Sequence, residues 1–131
     1  MSDFRLPNLN RVYLIGRMTR DPEVKQLKNG LSVCNARMAV NQPYRDSHGD
    51  WQQGETFVTV VAWRRWAELC GEFLQKGSPL LVEGRLRSRS WEGQDGQIRH
   101  VVEVQASRMQ FLEKTEASVR EDELETVEEE G

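Results

Sequence analysis

The sequence has no run of about 18 apolar residues, the length a membrane-spanning helix needs, and no basic start leading into an apolar segment at its amino terminus. Neither membrane insertion nor export is expected, and the chain reads as cytoplasmic. Its two cysteines, Cys34 and Cys70, form no CxxC pair, and only His48 and His100 are available to join them. That is too sparse and scattered for a structural zinc site, so both are expected as small buried apolar residues. A carboxylate cluster, a Ser-His pairing and a phosphate-cradling glycine loop are absent as well, and Asp21 and Glu23 beside Pro22 read as turn chemistry. The expectation is a binding protein with no catalytic residues, no metal and no cofactor.

What is present begins with size and charge. A chain of 131 residues suits one domain that buries about two-thirds of its unfolded surface. The net charge of -3 hides an asymmetry: residues 1–111 hold 16 Lys and Arg against 12 Asp and Glu, a balance of +4, whereas residues 112–131 hold 2 against 9, a balance of -7. A mildly basic body therefore carries an acidic tail. After Leu112 the apolar periodicity stops, so residues 113–131 cannot bury enough to offset their ordering entropy and are expected to be disordered. The default role of such a tail is to solubilise; a sharper reading makes it a polyanion mimic competing weakly for the basic surface.

The body reads as strands. Asn8 to Met18 is a short Val, Tyr, Leu and Ile run in which Gly16 suggests a bend or a close backbone approach. The Asn29-Gly30 pair signals a tight turn. From Leu31 to Gln42, Cys34, Ala36, Met38 and Val40 alternate with Val33, Asn35, Arg37, Ala39 and Asn41. Pro43 to Glu55 reads as a mobile polar loop containing Tyr44 and Trp51. A third strand follows, with Phe57, Thr59, Val61 and Trp63 on one side and Val58, Val60 and Ala62 on the other. The spacing of Trp66, Leu69, Cys70 and Phe73 predicts a helix from about Arg64 to Lys76 with Trp66 packed and Gly77 placed as its cap. The fourth strand, about Leu80 to Trp91, sets Leu80, Val82, Gly84 and Leu86 against Leu81, Glu83, Arg85, Arg87, Arg89 and Trp91; Ile98 to Phe111 returns as the fifth.

Strand, strand, strand, helix, strand, strand is the order of the OB-fold, a five-stranded, partly open barrel whose second and third strands, with the loops after strands one and four, form an oligonucleotide surface. One strand here carries Phe57 and Trp63 on one face; another carries three guanidinium groups and an indole on one face. Planes to stack on, interleaved with cations for phosphates, are what a nucleic acid can use without a sequence code.

The residues also resemble a family, the bacterial single-stranded DNA-binding proteins. The matching stretches are NRVYLIGRMTRDPEVK, NGLSVCNARMAVN, ETFVTVVAWRRWAE, FLQKGSPLLVEGRLRSRSWEGQDGQ and EVQASRMQFL, in that order over nearly all of residues 8–112. The resemblance implies a single-stranded DNA-binding domain at 1–112, a homotetramer, a nucleoid-associated protein, and roles in replication, recombination and repair. By matching position it implies base stacking on Tyr44, Phe57, Trp63 and Trp91, where Tyr44 and Phe57 keep a ring at places often held by Trp. The basic positions that match backbone contacts are Arg11, Arg65, Lys76, Arg87 and Arg89; Arg64 and Arg85 join them from proximity and strand parity. The tail departs from the family pattern. It lacks a Gly, Gln and Pro-rich linker and ends in Glu128, Glu129, Glu130 and Gly131 without the usual apolar tip, so replication and repair proteins stay among the possible partners, with recruitment through that tip left open. Rival readings remain a protein-interaction OB module and an RNA binder, and the role of Trp51 is open.

Overall fold

The computed structural model describes residues 6–113. The expected disordered tail, 113–131, lies almost wholly outside the described residues. Among the described residues, eight strands and one helix follow in the order β1 (Val12–Met18), β2 (Glu23–Gln26), β3 (Ser32–Asn41), β4 (Tyr44–Arg45), β5 (Trp51–Gln52), β6 (Glu55–Trp63), α1 (Arg65–Phe73), β7 (Pro79–Glu92) and β8 (Ile98–Phe111). The class is the one expected: mainly β, with a single helix between the third and fourth long strands. No helix among the described residues is long and apolar enough to cross a membrane.

The five long strands pair in a cycle. β1 lies against β7, β7 against β8, β8 in parallel against β6, and β6 against β3, which returns to β1. The cycle is thin at two seams, β1 with β3 and β6 with β8, each aligned over two residue pairs, so the barrel is partly open. Gly16 makes the first seam. A Cβ there would stand 2.4 Å from the Ala39 carbonyl oxygen, so the close approach of β1 to β3 needs its absence.

Alternation decides the interior. Cys34, Ala36 and Met38 of β3, Val60 and Ala62 of β6, Leu80 and Val82 of β7, and Val104 and Met109 of β8 are buried together. Each buried Val, Leu or Met contributes about 1.5 to 3 kcal/mol relative to exposure, and their small or slender shapes suit a tight barrel. Ala67, Cys70 and Leu74 of the helix segment join this core, with Trp66 partly buried against it. Both cysteines are fully buried, as their composition suggested. Cys70 stands 3.5 Å from the Met109 sulfur, and its hydrogen bond with Cys34, then burial, push its thiol up from the ordinary value.

Five expectations need correction. Pro43 to Glu55, expected as a mobile polar loop, contains the two-stranded sheet β4–β5, braced by the Asp46 side chain as described below. The residues before the Asn29-Gly30 turn form an extra strand, β2, paired along the edge of β3 from Glu23↔Asn35 to Gln26↔Ser32. The helix ends at Phe73, where Leu74 turns extended at φ -101°. Gly77, at φ +89°, instead serves a later turn in which its N–H donates to the Met18 carbonyl. Phe73 is exposed rather than core, although its ring lies 5.9 Å from that of Phe111.

Candidate nucleic-acid interface

The outer face of the barrel is built from the residues the core leaves out. Register fixes who meets whom: Val33 opposes Trp63, Asn35 opposes Val61, Arg37 opposes Thr59 and Ala39 opposes Phe57. On the other side of β6, Val61 aligns with Gln105. These rows enclose a groove of about 430 Å³ lined by Leu27, Val33, Asn35, Val61, Trp63, Arg87, Arg89, Glu103 and Gln105. Trp63 is half-buried, with its indole in the groove wall rather than in the core. Two guanidinium groups stand in the same groove as that ring.

Beyond Gly84 the β7–β8 ribbon continues with residues 85–92 all exposed. Its register runs Arg85↔Gln105, Arg87↔Glu103, Arg89↔Val101 and Trp91↔Arg99, which puts the three arginines and the indole on one face. Glu103 anchors one of them, Arg89. This glutamate is 6% exposed, and its Oε1 accepts from Arg89 Nε at 2.7 Å. A carboxylate taken from water needs such a partner. Arg89 in turn lays its guanidinium 4.8 Å from the Trp91 ring centroid, and Arg87 donates to the Gln105 side-chain oxygen at 3.3 Å. Trp91 is 42% exposed and so keeps surface to offer beside the cation.

Phe57, 52% exposed, repeats the arrangement. Arg37 sits 5.7 Å from its ring centroid and donates to the Thr59 hydroxyl at 3.4 Å. Phe57 lies roughly 20 Å along β6 from Trp63, at about 3.3 Å per residue. Tyr44 stands on β4, 53% exposed. Its ring leans over Gly54, where a Cβ would come within 3.0 Å of it and within 2.6 Å of the Gln42 carbonyl oxygen.

The remaining sequence candidates are more dispersed. Arg11 pairs with Glu83 at 3.5 Å on the β1–β7 side. Arg65 opens the helix and pairs with Glu68 at 3.3 Å. Arg64, between Trp63 and the helix, has φ +58°, an uncommon value for a residue with a side chain; the chain turns there from strand into helix. Lys76 lines a separate depression with Arg17, Met18, Thr19, Ala39, Glu55 and Gly77. That depression adjoins the Phe57 end of β6, since Ala39 opposes Phe57. Trp63, Arg87 and Arg89 thus share one groove, with Arg85 and Trp91 on its ribbon, while Arg11, Arg65 and Lys76 stand outside it.

Glu103, Gln105, Asn35 and Arg37 are not among the candidates that the sequence offers. Strand parity in β3 already put Asn35 and Arg37 outward, and the same parity applied to β8 would have put Glu103 and Gln105 beside the arginines. Among the described residues, no three His, Cys, Asp or Glu side chains converge as a metal site.

Comparison with known proteins agrees with this geometry. Residues 9–112 match the model of the Single-strand binding protein family. Single-stranded DNA-binding protein 2 of Chlorobaculum tepidum is 43% identical over 119 residues, covering 90% of this chain and 80% of that one. Single-stranded DNA-binding protein A of Bacillus subtilis is 46% identical over 105 residues, covering 80% of this chain and 60% of that one. Among solved structures, the Plasmodium falciparum SSB complex with ssDNA superposes with a TM-score of 0.75 at 27% identity, covering 84% of this chain and 100% of that one. The OB-fold order, the grooved outer face and a family match spanning nearly the whole described body agree, and this chain belongs to the single-strand binding protein family.

Proposed function

We propose that this chain binds and protects single-stranded DNA without reading its sequence, in replication, recombination and repair. Bases stack on Tyr44, Phe57, Trp63 and Trp91, and phosphates meet Arg11, Arg64, Arg65, Lys76, Arg85, Arg87 and Arg89. The observation that carries the reading is the groove in which the Trp63 indole stands with Arg87 and Arg89. The relatives from C. tepidum and B. subtilis are named for single-stranded DNA binding, and the P. falciparum neighbour was solved with ssDNA. The action is capture rather than catalysis. A duplex keeps its bases stacked on one another, so only an unpaired strand has free faces for these rings. Each stacked base contributes roughly 1 to 3 kcal/mol, and each neutralised phosphate adds a salt-dependent term.

The binding domain is residues 1–112, with 113–131 as an acidic appendage; the family match ending at residue 112 supports that boundary. The working form is a homotetramer. Tyr13 and Ile15 project exposed from β1, an apolar face of the kind a second copy covers. The proposed location is the cytoplasm, at the nucleoid. Titration of the protein with oligo-dT of increasing length, following tryptophan emission beside a native mass measurement, tests the reading. Quenching that deepens with length in a tetramer supports it. Unchanged emission, or equal binding to duplex of the same length, overturns it.

A further inference from the structure

The β4–β5 hairpin is too small to hold itself. It has two residues in each strand, and an isolated two-stranded ribbon is at best marginal in water. Asp46 supplies the brace. Its Oδ1 accepts from the backbone N–H groups of His48 and Asp50, both at 2.9 Å, and its Oδ2 accepts from the Gln52 amide at 3.0 Å. At the base, the Gln42 N–H donates to the Gly54 carbonyl at 2.7 Å, which continues the β3–β6 ladder past Asn41↔Glu55. The hairpin therefore extends the outer face beyond its Phe57 end.

What this bracing holds is an indole in water. Trp51 is 65% exposed, although burying so large a ring would stabilise the fold. Its cross-strand partner is Arg45, and the Arg45 guanidinium lies 5.1 Å from the Trp51 ring centroid. Tyr44 pairs with Gln52 and so takes the opposite face of the ribbon. One side of the Trp51 ring is covered by a cation and the rest faces solvent. Phe57 with Arg37 and Trp91 with Arg89 repeat this combination at other exposed positions.

We infer that Trp51 and Arg45 form an additional single-strand contact, in which a base of the bound strand stacks on the open face of Trp51 and Arg45 neutralises a neighbouring phosphate. This inference rests on the reading under Proposed function, and it extends the strand's path from the Trp63 groove past Phe57 onto the hairpin. The same contact explains why an exposed aromatic and an exposed cation share one face of a ribbon that Asp46 keeps rigid.

The test compares Trp51→Ala, Trp51→Phe and Arg45→Ala with Trp63→Ala and the unaltered protein, on oligo-dT of increasing length, with native mass recorded for each. Trp51→Ala is expected to weaken binding about fivefold or more on strands long enough to reach the hairpin, with Trp51→Phe recovering part of the loss. Arg45→Ala is expected to reduce the slope of log K against log salt by about 0.7. If Trp63→Ala weakens binding while Trp51→Ala stays within about twofold at every length, the hairpin contact is refuted and the groove stands. If Trp51→Ala changes the native mass instead of the affinity, the ring packs against another copy and the inference is likewise refuted. If the unaltered protein does not bind, both readings fall.

Discussion

The Trp63 groove and the β4–β5 hairpin use the same parts, an aromatic ring beside arginine, but they are held in different ways. Around Trp63 the positions come from β3, β6, β7 and β8, whose inner faces are anchored in the core. The hairpin has no core of its own and depends on one carboxylate, Asp46, and on the ladder at its base. The contrast separates a surface that comes without extra cost once the barrel folds from one that needs a dedicated brace. On the proposed reading, disturbing a ring in the groove is expected to remove binding surface and leave the fold, whereas disturbing the brace is expected to loosen the surface itself.

Mutations can sharpen that contrast. The largest effect is expected for Trp63→Ala, a loss of about 1 to 3 kcal/mol in oligo-dT affinity with the melting temperature little changed; equal affinity would remove Trp63 from the site. Trp91→Ala is expected to follow at about 1 kcal/mol or more, measured in the same titration. Its ring is already stacked on Arg89, so the base gains only the remaining surface. Glu103→Gln probes the cation beside it. Glutamine keeps an acceptor for Arg89 but removes the opposing charge, so the salt dependence of binding should steepen by about 0.7 in log-log slope. An unchanged slope would mean that Arg89 does not meet phosphate.

The smallest effect concerns the hairpin and pH. The Asp50 backbone N–H above all, with the His48 N–H and the Gln52 amide, holds the Asp46 carboxyl below the usual carboxylate range. A carboxyl depressed in the folded state contributes order above its unfolded pKa of about 3.9 and loses that contribution as pH falls through its folded value. The amide resonances of His48 and Asp50 should therefore stay fixed from neutral pH to about pH 4 and shift together below it. In Asp46→Asn they should be shifted at neutral pH already, with a modest loss of affinity confined to long strands.

Much of this was legible before any coordinates. Each long strand buries one face, so the period of two marked the inward set in β3, β6 and β7, and Ile98 to Phe111 was bounded as the structure has it. The same parity placed Arg85, Arg87, Arg89 and Trp91 together. The hairpin was not legible, because strands two residues long show no period and their stability comes from a side chain bonding three residues at once. Nor were the Arg37–Phe57 and Arg45–Trp51 pairs, since Arg37 beside Phe57 depends on a cross-strand register between β3 and β6 that local pattern does not encode. Gly77 misled for a related reason: a positive φ suits a helix cap and a later turn equally, and only the tertiary bond to Met18 chooses between them.

The claim beneath all of this is that flat exposed rings, and not positive charge alone, capture the strand. It is tested most directly by comparing oligo-dT with an abasic strand of the same length and the same phosphates. The abasic strand is expected to bind at least tenfold more weakly, about the worth of one stacked base, to leave tryptophan emission unquenched, and to retain the salt dependence. Equal affinity and equal quenching for the two strands would contradict it.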